Sequence, residues 1–232
     1  MRLAIMQPYF FPYIGYWQLI HAVDRFVVYD DVNYIKGGWI NRNRILINGV
    51  SAYITVPLMQ SSPYKRICDL STLPSLSWRN KLVKMVDNTY RKAPCFAEVF
   101  PVIEGMIYHE TDSLSDYLTY QIQVLSAYMD IQTEFVTASR CYGNSDLAGQ
   151  DRVIDICKHE GAATYINSQG GAALYERNSF TQCGIDLKFL IPSEVEYKQF
   201  GLEYTPWLSV IDVLMFNSKS RIHNMLNQYK LV

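Results

Sequence analysis

Residues 2–29, RLAIMQPYFFPYIGYWQLIHAVDRFVVY, decide the fold. Residues 2–6, RLAIM, form a short apolar run that reads as a buried strand. Gln7-Pro8 ends it, because proline removes a backbone donor and restricts the residue before it. Tyr9 to Ile14 form an aromatic loop pinned by proline. Gly15 then opens a helix, Gly15–Val23, whose apolar face is Leu19, Ile20 and Val23. Arg25–Tyr29, RFVVY, is a second buried strand. Strand, loop, helix and strand make a βαβ unit, with parallel strands and a right-handed crossover.

Working outward, the rest of the chain repeats the alternation. Ile45–Ile47 and Ser51–Val56 form a hairpin through Asn48-Gly49, a dipeptide that suits the tight primed turn. Ser61 to Pro74 is polar and turn-rich. Ser77–Tyr90 has helical spacing in Trp78, Leu82, Met85, Val86 and Tyr90, and Pro94 and Pro101 punctuate the segment after it. Thr111–Met129 is a long helix with Leu114, Leu118, Ile122, Leu125 and Met129 as its stripe, capped by Thr111 or Asp112. Gln132–Val136 is a strand, and Leu147–Glu160 a helix ended by Gly161. Thr164–Asn167 is a strand that empties into a glycine loop opening another helix. Ile185–Ile191 is a strand stopped by proline, and Trp207–Phe216 and Lys219–Tyr229 are closing helices. The predicted fold is α/β: one layered, Rossmann-like domain over residues 1–232, with a mostly parallel sheet and a helical insertion near 60–130.

Composition narrows the function. The 232 residues are 49% hydrophobic and 19% charged, which describes a globular chain. A net charge of -1 lacks the basic footprint that sequence-independent nucleic-acid binding needs. No apolar run reaches membrane-spanning length, and the N-terminus lacks the pattern of a signal peptide, so the expected location is the cytoplasm. The five cysteines are odd in number and hold no C-x-x-C pair, so they read as small buried hydrophobes. The four histidines are scattered, without metal-type spacing, and no G-x-S-x-G elbow occurs. Aromatic residues reach 14%, with 18 tyrosines, which suit both a core and the walls of a polar-ligand site.

Four segments could carry chemistry. Gln7, Pro8, Tyr9, Gly15 and Tyr16 belong to a strand-loop-helix junction, where free helix amides favour an anion. The alternative there is a rigid aromatic turn. Asp30-Asp31 sit at the end of the second strand, where an acid pair can hold Mg²⁺ with ligand phosphates, cap a turn or neutralise arginines. Residues 36–44, KGGWINRNR, hold Lys36, Arg42 and Arg44 beside Trp39, Asn41 and Asn43, either as phosphate ligands or as a solvated edge strand salt-bridged to Asp30 and Asp31. If 41–44 is extended, the two arginines share one face and the two asparagines the other. Asn167, Ser168, Gly170, Gly171 and Tyr175 form a second small-residue loop, either an anion cradle or a tight turn.

The stretch IMQPYFFPYIGYWQLIHAVDRFVVYDDVNYIKGGWINRNRI, residues 5–45, resembles the opening of the WbqC-like protein family. TYINSQGGAALY, GIDLKFL, EYKQF and YTPWLSVIDVLMFN resemble its later segments. The resemblance implies association with bacterial surface-polysaccharide gene clusters of the O-antigen type. The family's characteristic positions fall on most of the residues above, and also on Pro12, Asp24 and Asp212. A looser likeness in layout is to class I nucleotidyltransferases and pantothenate-synthetase-like ligases, with Tyr16 where those proteins place a phosphate-binding histidine.

The resulting expectation is a group-transfer enzyme of polysaccharide-precursor biosynthesis. It would act on a nucleotide-linked or phosphorylated sugar, as in ATP-assisted acyl or aminoacyl transfer to an amino sugar, with ATP and Mg²⁺ as cofactors. Gln7, Tyr9 and Gly15 would line the nucleotide. Lys36, Arg42 and Arg44 would hold phosphates, Asp30 or Asp31 the metal or an amine, and Asn167 and Ser168 the second substrate. The alternatives are a glycosyltransferase that binds its metal through Asp30-Asp31, and a nucleotide- or sugar-binding protein without catalysis.

Overall fold

A computed structural model describes residues 1–201 and 203–232. Strand β1 (Arg2–Met6) leads through an aromatic loop into helix α1 (Ile14–His21), which returns to β2 (Arg25–Val28). The two strands pair in parallel, Ala4 opposite Phe26 and Met6 opposite Val28. The βαβ unit read from the sequence is therefore present, with a helix one to two residues earlier at each end.

The hairpin strands are β3 (Arg42–Ile47) and β4 (Val50–Thr55). Asn48 and Gly49 turn between them at φ 50° and 78°, the left-handed pair that a primed turn demands. Short strands β5 (Leu58–Met59) and β6 (Ser71–Thr72) precede helices α2 (Leu76–Tyr90), α3 (Phe96–Tyr108) and α4 (Leu114–Tyr128). The sequence pattern predicts only two helices here. Pro101 lies inside α3 instead of ending it, and Val99, Ile103, Met106 and Ile107 bury the helix well enough to offset one lost backbone bond. Ser113, not Thr111 or Asp112, caps α4 by accepting from the Asp116 amide at 3.2 Å.

Strand β7 (Glu134–Val136), helix α5 (Gly149–His159), strand β8 (Thr164–Ser168), helix α6 (Arg177–Gln182) and strand β9 (Asp186–Pro192) restore the alternation. Helices α7 (Val210–Phe216) and α8 (Lys219–Leu226) come next. A last strand, β10 (Tyr229–Leu231), runs antiparallel to β9. The sequence pattern predicts helix through Tyr229, but Asn227 caps α8 and the chain then extends along the edge of β9.

The six-stranded sheet runs β10-β9-β8-β1-β2-β7, and all neighbours but β10 are parallel. Leu3 and Ile5 point to the face covered by Val153, Ile156 and Cys157 of α5 and Phe180 of α6. Ala4 points to the opposite, larger core under α1, α4, α7 and α8. Burial on both faces explains why these strands read as continuous apolar runs.

Topology places the site. From β1 the chain steps to β2 and β7, then returns past β1 to β8 and β9. The direction reverses between β1 and β8. In open α/β sheets, ligands bind outside the carboxyl ends of the strands at such a reversal. The loops after β1, β2, β7, β8 and β9 all leave from this one rim.

Candidate functional site

Three segments meet on the rim beside β1: the loop 7–13, the start of β3, and residues 206–209 before α7. Buried polar side chains stitch them together. The Asn43 side-chain amide donates to the carbonyls of Phe10 (3.1 Å) and Phe11 (2.8 Å). The Ser209 hydroxyl donates to the Phe11 carbonyl at 2.8 Å, and the Ser209 amide to the Arg44 carbonyl at 2.8 Å. Phe11 and Trp207 adopt φ 41° and 60°. That left-handed backbone is costly for a bulky residue and persists only where its surroundings over-determine it.

This scaffold encloses a cavity of about 270 Å³ lined by Tyr9, Pro12, Tyr13, Trp39, Asn43, Arg44 and Trp207. Tyr9, Trp39, Asn43 and Arg44 are site residues expected from the sequence. Tyr13 and Trp207 are site residues that the sequence reading misses. They lie at an edge-to-face centroid distance of 5.6 Å and form the wall shared with a second cavity of about 230 Å³. Pro206 suits the first turn of a helix, so the sequence pattern runs Trp207 into the helix that follows. Its left-handed φ of 60° keeps it outside α7, which begins only at Val210.

Arg44 is the cavity's cation. Its Nε is buried with no hydrogen-bond partner. Its Nη2 reaches only the Trp207 carbonyl, at 3.5 Å, and its guanidinium lies 5.5 Å from the Trp39 ring centroid. Among the described residues no carboxylate pairs with it. A buried guanidinium N–H without an acceptor is a position a ligand anion would satisfy. Burial raises Tyr9 and Tyr13 above the usual phenol range, with Tyr13 adding to the effect on Tyr9. Both therefore remain protonated donors at neutral pH.

Arg42 shares Arg44's side of β3, and Asn41 and Asn43 take the buried side, as the extended reading of 41–44 requires. Arg42 stacks on Tyr53 at 4.4 Å and donates to the carbonyls of Gly37 and Gly38. Asn41 accepts from Tyr34 and donates to the Val56 carbonyl, both at 2.8 Å, so it holds the loop to the hairpin. Lys36 is exposed and is not among the residues lining the Arg44 cavity.

The start of α1 is covered. A Cβ on Gly15 would collide with the Tyr13 ring and come within 2.8 Å of Pro192. The Tyr16 hydroxyl donates to the Gln7 carbonyl at 2.9 Å and is buried. Pro8 is buried as well. These residues shape the aromatic loop, and Arg44, not the helix terminus, provides the positive charge.

Asp30 and Asp31 lie elsewhere on the rim. The buried Asp30 carboxylate accepts from the Ser139 amide (3.0 Å), Ser115 (2.8 Å) and Arg140 (2.5 Å). Asp31 accepts from Ser139 and from Arg152 at 2.5 Å. Burial pushes the Asp31 carboxyl up, but Arg152 and Ser139 together outweigh it and leave it below the usual carboxylate range. The arginines that neutralise the pair thus come from β7's loop and α5, not from 36–44. Among the described residues no third acid, histidine or cysteine joins them as a metal-holding group. With these oxygens engaged by cations and hydroxyls, the pair does not fit Mg²⁺.

The loop after β8 is likewise bonded within itself. Asn167 donates to the Tyr175 hydroxyl at 3.2 Å and accepts from the Ser168 amide at 2.7 Å. A Cβ on Gly171 would stand 2.8 Å from the Asn167 amide nitrogen. Gly170 is exposed beside it. None of these residues lines either cavity. All five cysteines are free, and of them only Cys157 is fully buried, which narrows the reading of small buried hydrophobes to one residue. No described helix is long and apolar enough to cross a membrane.

Known proteins offer two points of similarity. A model described as the WbqC-like protein family matches residues 7–224. A Mycobacterium tuberculosis protein carrying the name "Uncharacterized protein Rv1507c" is 26% identical over 218 residues, which cover 93% of each chain. No solved structure matches.

Proposed function

The chain belongs to the WbqC-like protein family, and on that premise we propose that it is a group-transfer enzyme acting on a phosphorylated or nucleotide-linked sugar of surface-polysaccharide precursor synthesis. One observation carries the reading: Arg44, with no carboxylate partner and its Nε buried and unbonded, stands inside an aromatic-walled cavity at the sheet's carboxyl rim. A guanidinium recognises a phosphate through paired N–H donors. Trp39, Trp207, Tyr9 and Tyr13 offer flat faces to a pyranose or a base, and the two phenols offer hydrogen bonds.

The chemistry such a site supports is positional. Arg44 fixes the phosphate and stabilises negative charge that develops on it during transfer. The aromatic walls hold the sugar ring in one orientation and exclude water, which converts an encounter into a near-unimolecular step. Asn43 and Ser209 act through the backbone by keeping the loop in its strained form. A second reading has an observation of its own. Among the described residues the Arg44 cavity is lined by no histidine, cysteine or carboxylate, which favours a sugar-phosphate-binding protein without turnover.

Thermal stabilisation tests both, using ATP and dTDP-, UDP- and GDP-sugars with and without Mg²⁺. Ligand at one hundred times its Kd should add about 2.7 kcal/mol of stability. We expect a shift with a sugar nucleotide that Arg44→Ala abolishes. Product formation or pyrophosphate release under those conditions supports the enzyme, and binding without turnover supports the second reading. A shift retained in Arg44→Ala removes the site.

A further inference from the structure

Residues 32–68 contain five cations, Lys36, Arg42, Arg44, Lys65 and Arg66, and no acid. All 22 acidic residues of the chain fall outside this stretch. A chain of net charge -1 thus concentrates positive charge in one segment. The flanking acids do not neutralise it. Asp30 and Asp31 are buried against Arg140 and Arg152, and Asp69 pairs with Arg66. Among the described residues none of Lys36, Arg42, Arg44 and Lys65 has a carboxylate partner.

The fold lays this segment out side by side. An antiparallel bridge joins Asn33 to Arg66, and the Tyr34 amide donates to the Lys65 carbonyl at 2.9 Å. In that register Ile35 comes opposite Tyr64, and the alternation of an extended pair buries Tyr34 while leaving Ile35 and Tyr64 outside. Arg42 ties the turn that follows to the hairpin, by donating to the Gly37 and Gly38 carbonyls and stacking on Tyr53. The Trp39 ring lies 6.4 Å from that of Tyr53, which stands opposite Arg44 in the hairpin register. The large side chains at these positions are left in solvent: Tyr64 is 91% exposed, Ile35 54%, Tyr53 50% and Trp39 40%.

Exposed aromatic and aliphatic tips set among lysine and arginine match the boundary between lipid headgroups and acyl chains. Rings settle at headgroup level, an aliphatic tip enters the acyl boundary, and cations meet the anionic phosphates. A nucleic-acid strand would use the cations and the rings, but Ile35 offers it neither stacking nor charge. We propose that this face seats the protein on an anionic membrane surface, with Ile35 and Tyr64 entering the headgroup layer and Lys36, Arg42 and Lys65 held over lipid phosphates. Such peripheral docking needs no spanning helix. Trp39 also lines the Arg44 cavity, so the docked face adjoins it. The proposal does not depend on what that cavity binds.

Co-sedimentation of the full chain with vesicles tests it, comparing phosphatidylcholine alone with an equal mixture of phosphatidylcholine and phosphatidylglycerol. Wild type should bind the mixed vesicles and not the neutral ones, and added salt should weaken the binding. Each unit of charge near an anionic leaflet is worth about fivefold in affinity, so Lys36→Glu, a change of two units, should weaken binding roughly twentyfold. Ile35→Ser/Tyr64→Ser keeps the charge and should weaken binding roughly tenfold through lost apolar burial. All three side chains are exposed, so unchanged melting temperatures check that the variants fold. Failure of wild type to bind the mixed vesicles, equal binding to both kinds, or binding that either variant leaves intact overturns the proposal. A single-stranded oligonucleotide that binds in place of the vesicles, and is weakened by Lys36→Glu but not by Ile35→Ser/Tyr64→Ser, overturns it too and assigns the face to nucleic acid.

Discussion

Arg152 and Arg44 lie near the same rim of the sheet and do opposite work. The Arg152 side chain is 4% exposed, and its partner carboxylate Asp31 is 2% exposed at 2.5 Å. Arg44 is half-buried, lies among aromatic rings and has no carboxylate partner among the described residues. A buried pair answers its own charge, and removing one member strands the other. A cation whose one side-chain hydrogen bond among the described residues is to a carbonyl at 3.5 Å leaves its charge for something else to answer. What separates a stability arginine from a ligand arginine is thus the counter-ion that the fold brings to it.

The largest effect should come from Arg152. Arg152→Met leaves the buried Asp31 carboxylate without its cation, and should cost about 3–5 kcal/mol in chemical denaturation at pH 7. Sugar-phosphate affinity of the protein that remains folded should stay near wild type. If affinity collapses together with stability, the two regions are one site.

Next comes the clamp. Asn43→Ala leaves the Phe10 and Phe11 carbonyls without their buried donor and should cost about 1–3 kcal/mol. Unlike Arg152→Met, it should also weaken ligand binding, because Phe11 loses a restraint on its left-handed backbone. Gly15→Ala should have a similar cost, about 1–3 kcal/mol of overpacking, by pushing Tyr13 into the cleft.

The pH dependence sharpens the contrast. Asp31 titrates below its unfolded value of about 3.9, so its stabilisation is complete above that pH and is lost as pH falls through the folded pKa. Asp212 has the opposite sign. Burial raises it, against the hydrogen bonds from Tyr197, Tyr90 and Gln199, so it disfavours the fold progressively as pH rises from the unfolded to the folded pKa. Asp24, Asp69 and Glu160 are also held low by their arginines, so denaturation of wild type against pH should show an acid-side loss that Arg152→Met reduces by the Asp31 share. Asp212→Asn should leave that acid-side loss in place.

Much of this is legible in the sequence, and the limits have physical causes. The apolar runs of β1, β2, β8 and β9 are conspicuous because both faces of the sheet are covered. Asn48-Gly49 announces its turn through the left-handed φ values that this pair tolerates well. Strand β10 is not legible, because an edge strand of three residues has too short a pattern to oppose the helix before it. Arg42 and Arg44 stand out as cations, but only the fold shows that Arg42 is spent on Tyr53 and two loop carbonyls. Asp30-Asp31 looks like a metal pair because Ser139, Arg140 and Arg152 lie more than a hundred residues away in the chain. Trp207 is hidden at the start of an expected helix.

The smallest effect on stability should be that of Arg44→Ala, within about 1 kcal/mol of wild type, since its loss removes one long hydrogen bond and a distant contact with the Trp39 ring. Its effect on binding should be the largest of all. The most direct measurement is therefore the ligand-induced rise in melting temperature for wild type and Arg44→Ala, side by side, across the sugar-phosphate and sugar-nucleotide panel. The account expects wild type to shift with at least one of these ligands and Arg44→Ala to melt like its own apo form in its presence. Equal shifts in the two proteins would contradict it.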